Sequence, residues 1–300
     1  MVRTAQAQVA GERRQPRLRR WLDRPPVRSW RVPHGRALVI LAAVFLLLML
    51  GWAAFPVVFA GGNPAAVNPL AALRPPLHHY LLGTDQYGRS VYAELVYGAR
   101  PALEVGVLAT LIGGVTGSVI GILGGYLGGW ADLLVMRLID ILLALPGLFL
   151  ALIFIAALPP TLTNEILAIG IATIPGFARV LRGQALGVRS RLFVDAAIVT
   201  GVRRRTILWR HVVPNCLAPA VVLGTLNVGT AIVIAASLSY LGLGPSSGVL
   251  NWGSLINSGQ GYIDRDWWIS TFPGLLITLL VIAFSILGDR MRDAMEPSSG

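Results

Sequence analysis

Six stretches of this chain are long and apolar enough to cross a hydrocarbon layer about 30 Å thick, which takes about 20 helical residues. They fall near residues 37–60, 101–123, 133–158, 164–181, 218–241 and 268–287. The pattern predicts an all-α, polytopic integral membrane protein with six transmembrane helices. The first stretch is too long for the apolar core of a secretory signal and has no convincing small-residue cleavage site, so it reads as a retained helix. Residues 1–36, rich in Arg, Gln and Pro, read as a disordered or headgroup-bound tail. A long loop is expected over 61–100, a five-helix core over 101–290 and a short tail over 291–300.

Residues inside the spans report on packing. Gly113, Gly117, Gly121 and Gly125 recur every four residues and form one stripe on the second span. Such a stripe lets another helix approach closely, and packing within the chain is the simpler account than contact with a second subunit. Pro146, Pro175 and Pro273 interrupt the third, fourth and sixth spans. Each removes a helical N–H, so kinks are expected there. Asp140 lies one turn from Arg137, which predicts an i, i+3 ion pair. Glu104 and Glu165 fall near helix ends, where interfacial water would solvate them. Trp130, Trp252, Trp267 and Trp268 fit an aromatic belt.

The polar segment 182–215 has a different grain. Seven of the chain's 25 basic residues lie between Arg182 and Arg210, interleaved with Leu192, Phe193, Ile198, Val199, Ile207, Leu208 and Trp209. Solvated loops seldom carry so many large apolar groups, whereas two short amphipathic helices broken at Gly201 would. Ala196 and Ala197 permit close approach, and Gly201 permits a sharp turn. The segment suits a lipid headgroup layer or a docking partner equally by composition.

Composition agrees with a membrane protein: 55% hydrophobic residues, 13% charged residues and a mean hydropathy of +0.68. All 25 basic residues are Arg. Without Lys there is no P-loop and no Schiff base, so any ATP that drives this protein binds another chain. A single Cys216 excludes an internal disulfide and a multi-Cys metal site. Twenty-one Arg fall on one side of the predicted membrane: ten up to Arg36, Arg137, eight from Arg179 to Arg210, Arg290 and Arg292. Only Arg74, Arg89, Arg100 and Arg265 fall on the other. The side rich in Arg is the cytoplasmic one, so both termini and 182–215 are expected there. Topology and anionic membrane lipid account for the net charge of +11, with no nucleic acid needed. His78-His79 has the ligand type for nickel or zinc. Adjacent histidines chelate poorly and no acidic or Cys cluster joins them, so no metal site is expected. No nucleophile–His–acid grouping points to an enzyme. A secondary transporter driven by an ion gradient would need intramembrane acids and an inverted repeat, and neither stands out.

The order of residues goes further. Asp195-Ala196-Ala197-Ile198-Val199-Thr200-Gly201 resembles the Glu-Ala-Ala-x-x-x-Gly signature of permease subunits of bacterial ATP-binding-cassette importers. His211-Val212-Val213-Pro214-Asn215 resembles the His-Ile-Leu-Pro-Asn that follows it in the dipeptide/oligopeptide/nickel branch. Five more segments resemble that branch in the same order: Leu82-Gly83-Thr84-Asp85-Gln86-Tyr87-Gly88-Arg89, Tyr97-Gly98-Ala99-Arg100, Gly124-Gly125-Tyr126-Leu127-Gly128-Gly129-Trp130, Leu241-Gly242-Leu243-Gly244 and Asn251-Trp252-Gly253. The resemblance covers residues 78–297, with Asp195 standing where the signature has Glu. It implies a type I importer permease-like core in the bacterial inner membrane, with no cofactor on this chain. The implied partners are a second homologous permease, two cytoplasmic ATPase subunits that hold ATP and Mg, and an extracytoplasmic substrate-binding protein. Asp195, Ala196, Ala197, Gly201, His211 and Pro214 would couple to the ATPases. Pro175, Gly176, Asn227 and Ser237 would flank the pathway or a hinge, and Asp85, Gln86, Arg89 and Trp252 would dock the binding protein. The implied cargo is a dipeptide or oligopeptide, with nickel or another small solute as the alternative.

Overall fold

The computed structural model describes residues 35–295 apart from 78 and 247. The tails expected over 1–36 and 291–300 therefore lie mostly outside the described residues, as does His78. Helix α1 (Arg36–Ala54) and the short α2 (Pro56–Ala60) divide the first predicted span. Pro56 has no N–H to continue α1 but suits the first turn of a new helix. Helix α3 (Val91–Leu127) starts ten residues before the core boundary expected at 101, capped by Ser90, whose Oγ accepts from Ala93 N at 3.4 Å. Pro101 thus lies inside α3 rather than at its start.

The third predicted span is two helices, α4 (Gly129–Leu143) and α5 (Gly147–Ala156), bent by 92°. Pro146 sits in extended backbone at the N-cap of α5, so its effect is a break rather than the expected kink. Helix α6 (Leu162–Arg189) runs without interruption through Pro175 and eight residues past the predicted end at 181. After α7 (Leu192–Val199), α8 (Arg204–Ile207) passes through a π turn, Leu208–Val212, into α9 (Val213–Tyr240). The second amphipathic piece is therefore no separate helix; it is the start of the fifth span. Helix α10 (Trp252–Gly259) precedes α11 (Trp268–Met295), which runs uninterrupted through Pro273 and beyond the expected boundary at 290. By length and composition five of these helices can cross a membrane, or six if α4 and α5 together form one broken span.

The α3–α6 pair is the centre of the packing. Lipid tails are as apolar as the helices, so close fit rather than water exclusion holds spans together. The glycine stripe supplies that fit within the chain. A Cβ on Gly117 would lie 2.6 Å from the Ile174 carbonyl oxygen, and one on Gly125 would lie 2.7 Å from that of Arg182. Helix α9 packs on α3, α6 and α11, and α1 lies against α3 and α11 through Ala42, Leu46 and Met49.

At the end opposite α7, two tryptophans close the fold rather than joining a belt. Trp252 and Trp268 are buried, and their indole N–H groups donate to Leu95 O at 3.0 Å and Thr84 O at 3.1 Å. Gly98 and Gly83 leave room for them: a Cβ at either would sit 2.7 or 2.6 Å from the indole nitrogen. Trp130 and Trp267, by contrast, are exposed as a belt residue would be.

Candidate functional site

Helix α7 is short because its sequence ends it. Val202 N donates to Ala197 O and Gly201 N to Ile198 O, both at 3.0 Å, which is the Schellman pattern at a helix C-terminus. That pattern needs a left-handed residue, and Gly201 supplies it at φ +79° with open space around its Cα. Val194 is fully buried on the inner face of α7. It joins Ile207, Leu208, Val212 and Cys216 in a cluster with Leu181, Ala185 and Val188 of α6 and Ile122 and Tyr126 of α3.

The outer face is the reverse. Asp195 and Ala196 are exposed, and Leu192 and Val199 are each 87% exposed, with Trp209 at 69%. Asp195 has no side-chain hydrogen bond or ion pair among the described residues. His211 packs its ring against Phe193 of α7 with centroids 5.8 Å apart, and its carbonyl accepts from Asn215 Nδ2 at 2.6 Å. Pro214 lies just past the π turn, where Val213 N reaches back to Leu208 O. A proline cannot give the N–H of a regular turn, and the wider turn directly before it accommodates that loss. The predicted residues from Asp195 to Gly201 and His211 are thus brought together, with Pro214 one turn away.

Several side chains tie this end to the spans, and of these only Tyr126 lies in a motif read from the sequence. Tyr126 Oη donates to Arg204 O at 2.9 Å, and Arg189 Nη1 donates to Tyr126 O at 3.0 Å. Arg182 holds Asp132 of α4 through two parallel bonds of 2.8 and 2.7 Å. Asp140 pairs with Arg179 of α6, not with Arg137 as expected. An exposed pair within one helix contributes only about 0.2–0.5 kcal/mol, so a guanidinium presented by the facing helix displaces it.

The other predicted residues are dispersed. Pro175 is buried in α6 and Gly176 is exposed beside it. Asn227 Nδ2 donates to Leu223 O and Ser237 Oγ to Val233 O, so both bond back to their own helix. Ser237 lines a mostly apolar cavity of about 430 Å³ between α5, α9, α10 and α11. Asp85 is buried and fully engaged: Oδ1 accepts from Tyr87 N and Arg89 N, and Oδ2 accepts from the Arg89 guanidinium at 2.6–2.7 Å. Asp85 and Trp252 therefore organise the fold where they stand and present little surface, while Gln86 and Arg89 line a second, polar cavity. Glu104 is solvated at the surface and bonded to Arg100 at 2.9 Å. Glu165, expected in interfacial water, is instead buried against α9, where Ser239 Oγ donates to it at 3.5 Å.

A membrane-embedded helical subunit that offers an apolar, acidic helix outside its spans has the build of a transport permease. Residues 117–299 match the family model described as binding-protein-dependent transport system inner membrane component. The chain belongs to that family, and the resemblance read from its motifs is borne out. It is 38% identical over 266 residues, 89% of each chain, to a probable D,D-dipeptide transport system permease protein of Escherichia coli (strain K12). It is 36% identical, over 87% of this chain and 86% of the relative, to a dipeptide transport system permease protein of Alkalihalophilus pseudofirmus. A glutathione transport system permease protein of Escherichia coli O6:K15:H31 is 37% identical, with 89% of each chain covered.

Proposed function

We propose that this chain forms half of the pathway of an ATP-driven importer of short peptides and receives the driving motion through α7. The observation that carries the coupling role is the two-faced α7: Val194 keyed into the buried cluster, Asp195, Ala196 and Val199 open to a partner. Two cytoplasmic ATPase subunits, holding ATP and Mg, would take that outer face, with Asp195 meeting a basic or polar group and Ala196 allowing close approach. The distribution of Arg supports a cytoplasmic α7 and cytoplasmic termini. A second homologous permease would complete the pathway, and a binding protein would deliver cargo at the opposite end. The short-peptide cargo is supported by relatives named for dipeptide, di/tripeptide and glutathione transport.

The mechanism follows from what α7 is fastened to. Pressing α7 moves Val194, and with it the buried ends of α6 and α9; Tyr126 and Arg189 add the end of α3 through their bonds to Arg204 and to the Tyr126 carbonyl. Packed helices change between discrete arrangements rather than bending continuously, so a small push at α7 becomes a switch between inward- and outward-facing states. The test is uptake of a radiolabelled dipeptide by the assembled system carrying Gly201→Asp. Uptake should fall at least tenfold while the subunits still assemble. Retained coupling of ATP hydrolysis to uptake would sink the role of α7, and uptake of nickel in place of peptide would overturn the cargo.

A further inference from the structure

Helix α4 lies between two sharp turns of the chain. At its start Gly128 and Gly129 both have positive φ, +65° and +87°, a turn that side chains would oppose. At its end the chain bends by 92° where Pro146 opens α5. Packing does little to fix α4 between those turns. Of its 15 residues only Ile139 is buried, while Trp130, Leu133, Leu134, Leu138 and Ile141 are each more than half exposed. Apolar groups at membrane depth meet lipid as readily as protein, so they set no preferred position.

Charge sets the position instead. Asp132 accepts two parallel bonds from the Arg182 guanidinium, and further along α4 Asp140 pairs with Arg179. The two carboxylates are about 12 Å apart at a rise of about 1.5 Å per residue, so α4 is pinned to α6 at two points. A forked Arg–carboxylate pair fixes orientation as well as distance. Helix α3 makes room for the better pair: a Cβ on Gly124 would meet Asp132 Oδ1 at 2.6 Å. Arg182 stands on the helix that leads into α7, with only Ser190 and Arg191 between them. Beyond the bend, α5 buries Leu150, Ala151 and Ile155 in a cluster with α6 and α9, and presents Leu148 to the 430 Å³ cavity that Ser237 also lines.

We propose that Arg182 and Asp132, with Arg179 and Asp140 as a second point, form the link that makes α4 travel with α6 when α7 is pressed. Helix α4 and its bend then carry the driving motion to the α5 wall of that cavity. The inference rests on the coupling role of α7 proposed above, and adds a route for the motion that ion pairs, not packing, maintain. The four side chains act through the place they give α4, as positioning residues.

Two measurements on the assembled system test the link. In the first, spin labels at Leu134→Cys on α4 and Gly187→Cys on α6 report the separation of the two helices in lipid nanodiscs. Leu134 is exposed, a Cβ at Gly187 meets nothing within 4 Å, and the native Cys216 is buried. With the pair intact, the separation should be the same without nucleotide and with ATP and vanadate trapped on the ATPases. Asp132→Asn should broaden it in both states. In the second, proteoliposomes with binding protein report alanyl-alanine taken up per ATP hydrolysed. Asp132→Asn and Arg182→Gln should each lower that ratio at least about fivefold, a usual size for coupling between sites, while hydrolysis continues. The double variant should be no worse than either single one, because both remove the same link. Asp132→Glu keeps the charge and should recover part of the loss. A separation that changes between the two states with the pair intact overturns the proposal, whether or not the charge variants assemble. An unchanged ratio in the single variants, or losses that add in the double one, overturns it as well. Either result with uptake intact sinks only this link, whereas a wild type that takes up no alanyl-alanine sinks the importer reading beneath it.

Discussion

Glycines mark the positions where one added carbon has the largest consequence, for two different reasons. At Gly201 the surroundings are open and the backbone alone is demanding, at φ +79°. Gly201→Ala should cost about 1–2 kcal/mol through left-handed strain, seen as a lower unfolding temperature of the purified complex. Gly201→Asn, which tolerates that region, should recover most of the loss. Equal behaviour of Ala and Asn would contradict the conformational explanation. At Gly117 the backbone is helical and the space is absent, with the Ile174 carbonyl and Phe177 Cβ each 2.6 Å from where a Cβ would be. Gly117→Leu should force α3 from α6 at a cost of about 3 kcal/mol or more, read as loss of monodisperse protein in detergent. The stripe was legible from its four-residue period because small residues on one helix face have few other uses. The partners of Gly83 and Gly98 were not, since nothing in a single sequence says that Trp268 and Trp252 fold back onto them.

Helices differ in how they are held, and an ion pair between α4 and α6 set beside one within α3 separates strong from weak fastening. Arg182 and Asp132 form a forked pair whose side chains are 32% and 8% exposed, whereas Arg100 and Glu104 are 67% and 36% exposed. A double-mutant cycle to Ala should give a coupling of about 1–3 kcal/mol for the first pair and about 0–1 kcal/mol for the second. Comparable couplings would show that burial does not set their strength. Most elements could be read from runs of about 20 apolar residues, yet several boundaries were misread for definite reasons. Helix α3 extends past its apolar run, and Glu94, Tyr97 and Arg100 looked like loop because they face a polar cavity. Pro146 signalled a disturbance in the third span, but the 92° turn depends on what α5 packs against. Pro175 and Pro273 carried the same signal in helices that continue through them.

For the molecule as a whole, the short helix α7 with its exposed apolar residues and its break at Gly201 was the most legible part, because large apolar residues beside a turn glycine in a polar segment have few structural uses. Its anchorage was illegible: Val194 joins the buried cluster with α6 and α9, Tyr126 reaches Arg204 of α8, and Arg189 of α6 reaches Tyr126 of α3 only after the chain has folded. Val194→Ala should loosen that anchorage by about 1–3 kcal/mol. Binding of the ATPases should survive while dipeptide uptake per ATP hydrolysed falls severalfold; unchanged coupling would place the transmission elsewhere. The most direct measurement is co-purification from native membranes in mild detergent, with Asp195→Lys beside the wild type and ATP hydrolysis assayed in each eluate. The wild type should carry ATPase subunits, a second permease and ATP hydrolysis, and charge reversal on the exposed face of α7 should remove the ATPases and the activity while the second permease stays. Retention of fully active ATPases by Asp195→Lys, or a wild type that elutes alone from membranes competent for uptake, would contradict a docking role for α7.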